Sequence, residues 1–263
     1  EGIFTRPHGI TIGPDDMVYC VDDGTHCVRK CTPDGKVLLT LGTPGQPSDT
    51  GGYDGKNYRT ATVGGPPFNR PTNLALSPSG EMYVTDGYGN TRVHKFSKEG
   101  KLLFSWGGPG SGPGQFAIPH GIAVDKQGTV YVGDRQNNRI QLFSPDGEFI
   151  TEWKGIRRPD QVFIDRDGNV FVAELGDRVG VTVGMPDPTP QSPWSTVAVL
   201  DLKGKLLARF GGEDSCAPGN LLAAHGICTD SRGDLYVGEV TYSSTRGNAP
   251  KGCHVYQKFV KVG

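Results

Sequence analysis

The sequence predicts an all-β propeller, with five recognisable blades of a six-blade plan forming one domain over residues 1–263. Two observations lead there. A unit of about forty residues recurs along the chain, starting near residues 6, 70, 118, 158 and 223. Within each unit, short apolar or alternating runs are bounded by Gly, Pro and Asp, the pattern of half-buried antiparallel strands. The 40 glycines and 20 prolines supply the tight turns such a chain needs.

The elements follow in a fixed order. A first strand such as Ile122–Asp125 leads into a polar turn containing Gly. A second strand ends in an acid: Val18–Asp22, Met82–Asp86, Val130–Asp134, Val170–Glu174 and Leu235–Glu239. Third strands are expected at Arg92–Phe96, Arg139–Phe143 and Val197–Leu200, and fourth strands at Leu102–Trp106, Phe149–Trp153 and Leu206–Phe210. The last copy ends at its third strand, Val255–Val260. No amphipathic helix interrupts the pattern. The acids Asp22, Asp86, Asp134, Glu174 and Glu239 recur in every copy, and Arg92 and Arg139 recur as well, so both sets are read as structural.

Against this regular background three of the six histidines share one column of the repeat. His8 lies in Arg-Pro-His-Gly-Ile, His120 in Ile-Pro-His-Gly-Ile and His225 in Ala-Ala-His-Gly-Ile, while Thr72 and Asp160 hold that column in the two copies between. One histidine before glycine is ordinarily structural; three in alternate copies point to a metal site assembled from distant parts of the chain. In a closed five-blade ring they would be unevenly spaced. In a six-blade ring lacking one blade they occupy every second blade and converge on one axial point, which suits zinc held by three imidazoles. His26, His94 and His254 fall outside the column and receive no role.

The copy built from Pro119–Asp125, Val130–Asp134 and Asn138–Phe143, with Gly147 and the preceding Gly112-Pro-Gly-Gln-Phe116, resembles the NHL repeat. That resemblance implies a propeller but not one function. A narrower one follows from the histidines: the chain resembles the peptidyl-α-hydroxyglycine α-amidating lyases and their bacterial relatives. The resemblance implies catalytic zinc on His8, His120 and His225. It implies a catalytic tyrosine at Tyr88, in Asp86-Gly87-Tyr88, and a carboxylate-binding arginine at Arg135, in Asp134-Arg135-Gln136-Asn137. It also implies cleavage of a small-molecule or peptide substrate with a hydroxylated glycine-like end, giving an amide and glyoxylate. Departures are visible. The family's second active-site arginine comes from a first blade absent here. A methionine of the site is Ala223, the acid that helps hold a structural calcium is Gly226, and a disulfide cysteine is Gly89. The match therefore does not extend to calcium.

The formal net charge of −1 gives no general attraction for nucleic acid or anionic lipid. No apolar run approaches the roughly eighteen residues of a membrane span, and no signal peptide is visible. Cys20, Cys27, Cys31, Cys216, Cys228 and Cys253 are expected to be reduced, with Cys20 and Cys228 in the core and the cytoplasm favoured over an exported location. Three insertions, Thr43–Asn69 with Tyr53, Tyr58 and Arg59, Leu175–Ser195 with Arg178, Met185 and Trp194, and Thr241–Lys251 with Tyr242 and Arg246, are candidate walls of a site. Exposed strand edges of an incomplete ring offer a route to self-association. Two other readings stay open: an NHL platform for protein partners, and another propeller enzyme such as a lactonase or streptogramin-type lyase.

Overall fold

A computed structural model of the chain describes residues 2–51, 67–176 and 194–262. Tyr53, Tyr58, Arg59, Arg178 and Met185 of the insertions lie outside the described residues. The chain forms an all-β propeller fold of five antiparallel blades. Blade one holds β1 (Pro7–Ile12), β2 (Val18–Asp22), β3 (Cys27–Cys31) and β4 (Val37–Leu41); blade two holds β5 (Asn73–Leu76), β6 (Met82–Asp86), β7 (Arg92–Phe96) and β8 (Leu102–Trp106). Blade three holds β9 (Pro119–Val124), β10 (Val130–Asp134), β11 (Arg139–Phe143) and β12 (Phe149–Lys154). Blade four holds β13 (Pro159–Ile164), β14 (Val170–Glu174), β15 (Thr196–Leu200) and β16 (Leu206–Phe210). The fifth has three strands: β17 (Ala224–Thr229), β18 (Leu235–Glu239) and β19 (Tyr256–Phe259). A one-turn helix, α1 (Thr241–Ser244), lies in the third insertion, where no helix was expected.

Contacts divide the chain into two compact units, Glu1–Asn137 with Gln141–Glu152, and Asn138–Ile140 with Trp153–Gly263. In the first, apolar side chains from neighbouring blades interdigitate. Tyr19, Val21 and Val28 pack with Leu74, Met82 and Val84, and Ala75, Tyr83 and Val93 pack with Ile122, Val130 and Val132. In the second, Ala173 and Val197 pack with Ala224, Ile227 and Val237. Each such side chain contributes roughly 1.5–3 kcal/mol of burial, so the inter-blade seams are a large source of stability. The repeated Ile after the His-Gly pair shows this dependence on a neighbour. Ile122 and Ile227 are 2% and 6% exposed, whereas Ile10 of the first blade is 67% exposed.

The hairpin between the first two strands repeats one chemistry. In blade three the Asp125 amide bonds to the Thr129 carbonyl and the Gly128 amide to the Asp125 carbonyl, with Gly128 at φ +87°. A side chain there is strained, so blades two to five carry glycine at this position (Gly80, Gly128, Gly168 and Gly233), while blade one holds Asp16 at φ 59°.

Two expectations about cysteine are corrected. Cys216 and Cys253 form a disulfide across 37 residues, tying the loop before β17 to the segment between the third insertion and β19. Such a bond persists in oxidising compartments rather than in the cytosol. Cys228 is exposed, not core: on β17 the side chains alternate, Ile227 turning in and Cys228 out. Cys20 is half-buried, and Cys27 and Cys31 are buried free thiols.

The recurrent acids prove to be clamps. The side chains of Asp22, Asp86, Asp134, Glu174 and Glu239 accept the amides of Thr5, Asn69, Ala117, Arg157 and Leu222 at 2.7–2.9 Å, each seventeen residues upstream. Glu174 also accepts Thr196 Oγ1 at 2.6 Å and holds Arg209 through Nε at 2.8 Å and Nη2 at 3.0 Å. Replacing it with Ala strands a mostly buried guanidinium and a backbone amide. Glu174→Ala is expected to lower stability by about 3 kcal/mol in urea unfolding; a loss near zero would show that the clamp is dispensable.

Candidate functional site

Each clamp fixes the chain three residues before the repeat column that holds the histidines. Immediately downstream, the first strand pairs its opening residue with the clamping acid, Pro7 with Asp22, Pro119 with Asp134, Pro159 with Glu174 and Ala224 with Glu239. The register then shifts through a bulge at the next residue. His8, His120, Asp160 and His225 occupy that bulge. A bulge re-aims its side chain away from the ladder, so the repeat presents a selectable side chain at one point of these four blades. Arg70, Ile118 and Arg158, which precede the prolines of blades two to four, adopt left-handed φ of 65°, 63° and 51°. That conformation costs a non-glycine residue roughly 1–3 kcal/mol and is held by the clamp beside it.

Within the first unit this geometry brings His8, Tyr88, His120 and Arg135 together. His8 is half-buried and His120 fully buried, and their ring nitrogens lie within 4.8 Å. Nδ1–H of His8 donates to the Thr72 carbonyl at 2.7 Å, which fixes the tautomer and leaves Nε2 with its lone pair. Thr72, which stands in the histidine column, thus acts through its backbone as the orienting partner of a histidine one blade away. Its hydroxyl is within 3.0 Å of Thr85 Oγ1 and of the Pro119 carbonyl.

Tyr88 sits in the loop after β6, between two glycines that have no room for a side chain. A Cβ on Gly87 would collide with the Pro119 carbonyl, and one on Gly89 with the Asn69 side chain. Backbone bonds from Tyr88 to Arg70 (3.3 Å) and from Gly89 to Asn69 (2.9 Å) pin the loop. The Tyr88 hydroxyl lies 3.0 Å from His8 Nε2 and 2.9 Å from His120 Nε2. Arg135, 3% exposed in a 3-10 turn at Arg135–Asn137, lies with its guanidinium carbon 5.4 Å from the Tyr88 ring centroid and Nη1 3.5 Å from the hydroxyl.

The donor set fits a borderline divalent ion such as zinc: neutral imidazoles, one with its tautomer fixed for Nε2 coordination, beside an oxygen of suitable reach. His225 lies in the second unit, half-buried at the same bulge of its own blade. His94 and His26 have other work. His94 lies 2.7 Å from Ser105 Oγ and 3.4 Å from Asp86, and His26 accepts the Arg70 amide at 3.0 Å.

Sequence reasoning missed Arg6 and Asp23. Arg6 lies with its guanidinium carbon 5.7 Å from the Tyr88 ring centroid and pairs through Nη1 with Asp23 at 3.2 Å. Burial pushes the Asp23 carboxyl up to about 6, with Asp22 adding to the rise and Arg6 and Arg70 opposing it. Neighbouring Asp22 behaves oppositely: burial works against its charge, but the amides of Thr5, Arg6 and Thr25 hold it below the ordinary range. The folded state therefore keeps the Asp23 proton where the unfolded chain has lost it, and this contribution disappears as pH rises from about 4 to 6. Asp23→Asn is expected to gain stability relative to the parent across that window, by up to about 3 kcal/mol at pH 7. Chemical unfolding at pH 4 and pH 7 checks this; a difference independent of pH would contradict the raised carboxyl.

The NHL repeat family pattern matches residues 116–143, within blade three. The chain is 36% identical over 247 residues, 91% of its length, to peptidyl-glycine alpha-amidating monooxygenase B of Xenopus laevis, and spans 26% of that protein. It is 34% identical over 62% of its length to peptidyl-alpha-hydroxyglycine alpha-amidating lyase 1 of Drosophila melanogaster, spanning 30% of that protein. It is also 33% identical over 79% of its length to NHL repeat-containing protein 3 of Mus musculus, spanning 62% of it. Among solved structures, virginiamycin B lyase from Staphylococcus aureus superposes with a TM-score of 0.58 at 15% identity, over 90% of this chain and 64% of that one; this likeness concerns the fold alone. The chain is an all-β propeller that carries an NHL repeat at residues 116–143 and resembles the peptidyl-α-hydroxyglycine α-amidating lyases.

Proposed function

We propose that the chain is a zinc-dependent lyase that cleaves a peptidyl-α-hydroxyglycine-like substrate to an amide and glyoxylate. The observation that carries this reading is the Tyr88 hydroxyl set between Nε2 of His8 and Nε2 of His120, with Arg135 above its ring. His225 is proposed as the third ligand because it holds the same bulge in its blade as His8 and His120 do in theirs. Relatives named for amidation, at 34–36% identity, support the substrate class. No calcium is proposed.

When bound, zinc supplies Lewis acidity that polarises the substrate's hydroxyl and stabilises anionic oxygen beside it. Tyr88 Oη takes the proton of that hydroxyl as general base. The hydroxyl-bearing carbon becomes the aldehyde of glyoxylate while its bond to nitrogen breaks, and the proton passes to the departing amide nitrogen. Arg135 holds the substrate carboxylate, its fork matching two oxygens. The buried surroundings of His120 and Arg135 keep bulk water from these contacts. The six-blade plan is part of the same proposal, supported by the exposed Ile10 face of blade one, which is also the surface available for self-association.

Purified without chelator or affinity tag, the chain is expected to carry about one zinc, and His120→Ala close to none, by elemental mass spectrometry. No transition metal in either, even after zinc is added back, would leave an NHL binding platform as the reading; magnesium or calcium instead would favour a lactonase or streptogramin-type lyase. Tyr88→Phe is expected to keep the metal and the KM while glyoxylate release slows by about 10²–10⁴-fold. Turnover within a few-fold of the parent would remove Tyr88 from the chemistry.

A further inference from the structure

Arg6 is fixed more firmly than a surface arginine needs to be. Its amide donates to Asp22 Oδ1 at 2.9 Å and its carbonyl accepts the Asp23 amide at 3.2 Å. Gly24 leaves it space: a Cβ there would lie 2.9 Å from both the nitrogen and Cβ of Arg6. Its side chain pairs with a carboxylate that is 0% exposed, while it is itself 55% exposed. Asp23 engages only Nη1 of a five-donor fork whose side chain stays half exposed. The guanidinium lies over the same phenol ring as that of Arg135. With the guanidinium carbons 5.7 Å and 5.4 Å from its centroid, an anion that reaches this ring meets positive charge from both arginines.

We propose that Arg6 is a second carboxylate-binding residue, positioned by Asp23, and that with Arg135 it brackets the terminal carboxylate of the substrate. The identity of that substrate rests on the lyase reading above; the convergence of charge does not. Arg6 thereby selects substrates with a free terminal carboxylate over esters and amides. Asp23 is a positioning residue that acts through Arg6.

The test compares benzoyl-α-hydroxyglycine with its methyl ester, reading benzamide release from the parent, Arg6→Gln, Arg6→Lys and Asp23→Asn. Arg6→Gln is expected to raise KM for the acid about ten- to a hundredfold, with kcat changed by less than about threefold and KM for the ester unchanged. Arg6→Lys falls between, because a point charge replaces a fork. Asp23→Asn shifts KM in the same direction by less. An unchanged KM for the acid, or equal losses for acid and ester, overturns the proposal. A second arm follows glycolate binding to metal-free protein by calorimetry. Binding weakened in Arg6→Gln supports the bracket, and absent or unaltered binding overturns it. No benzamide from the parent would refute the lyase reading while the glycolate arm still decides the role of Arg6.

Discussion

The structure depends on one interaction repeated five times: a carboxylate at the end of the second strand accepting a backbone amide seventeen residues upstream. A buried carboxylate is costly unless its oxygens are filled by donors, and here the backbone supplies them. In return the chain's approach to each first strand is fixed to within a hydrogen bond. That is what holds the left-handed residues before Pro71, Pro119 and Pro159, and in blades three and four it sets the bulge that follows. Without the clamp the strained approach would relax, and the side chain in the bulge would have no defined direction.

The site uses this frame economically. Blades supply the same backbone position, and the side chain placed there decides its use. Histidine stands there in blades one, three and five. Threonine in blade two turns its carbonyl to His8 and its hydroxyl to the next blade's Pro119. Aspartate in blade four is buried. Tyr88 comes from a different part of the repeat, the loop after the second strand. It reaches the histidines because Gly87 and Gly89 let the backbone press against Pro119 and Asn69. The phenol and the imidazoles are thus brought together by backbone proximity.

Charge around the Tyr88 ring is arranged unevenly. Arg135 is enclosed, while Arg6 reaches solvent from a buried carboxylate that burial drives toward its neutral form. A carboxyl in that environment adds no stability as a free anion, so its pairing with Arg6 is better understood as orientation than as a contribution to folding. The disulfide between Cys216 and Cys253 ties the loop before blade five to the connection between that blade's last two strands, in a sheet that has three strands where the others have four.

Period and punctuation by themselves determined the blades. The second strands, including Val18–Asp22 and Leu235–Glu239, fall at the expected residues because alternation and a terminal acid are local signals. The histidine column was equally legible, since a repeat makes equivalent positions visible without coordinates. Tertiary structure alone decided the rest. The role of the acids as clamps, the use of Thr72, the place of Arg6 and Asp23, and the Cys216–Cys253 pair all join residues far apart in sequence. Their meaning arises from which backbone atoms come within hydrogen-bonding reach, and composition and spacing carry no record of that. The burial of Cys228 was misjudged for a related reason: an apolar run does not say which face of a strand meets the neighbouring blade.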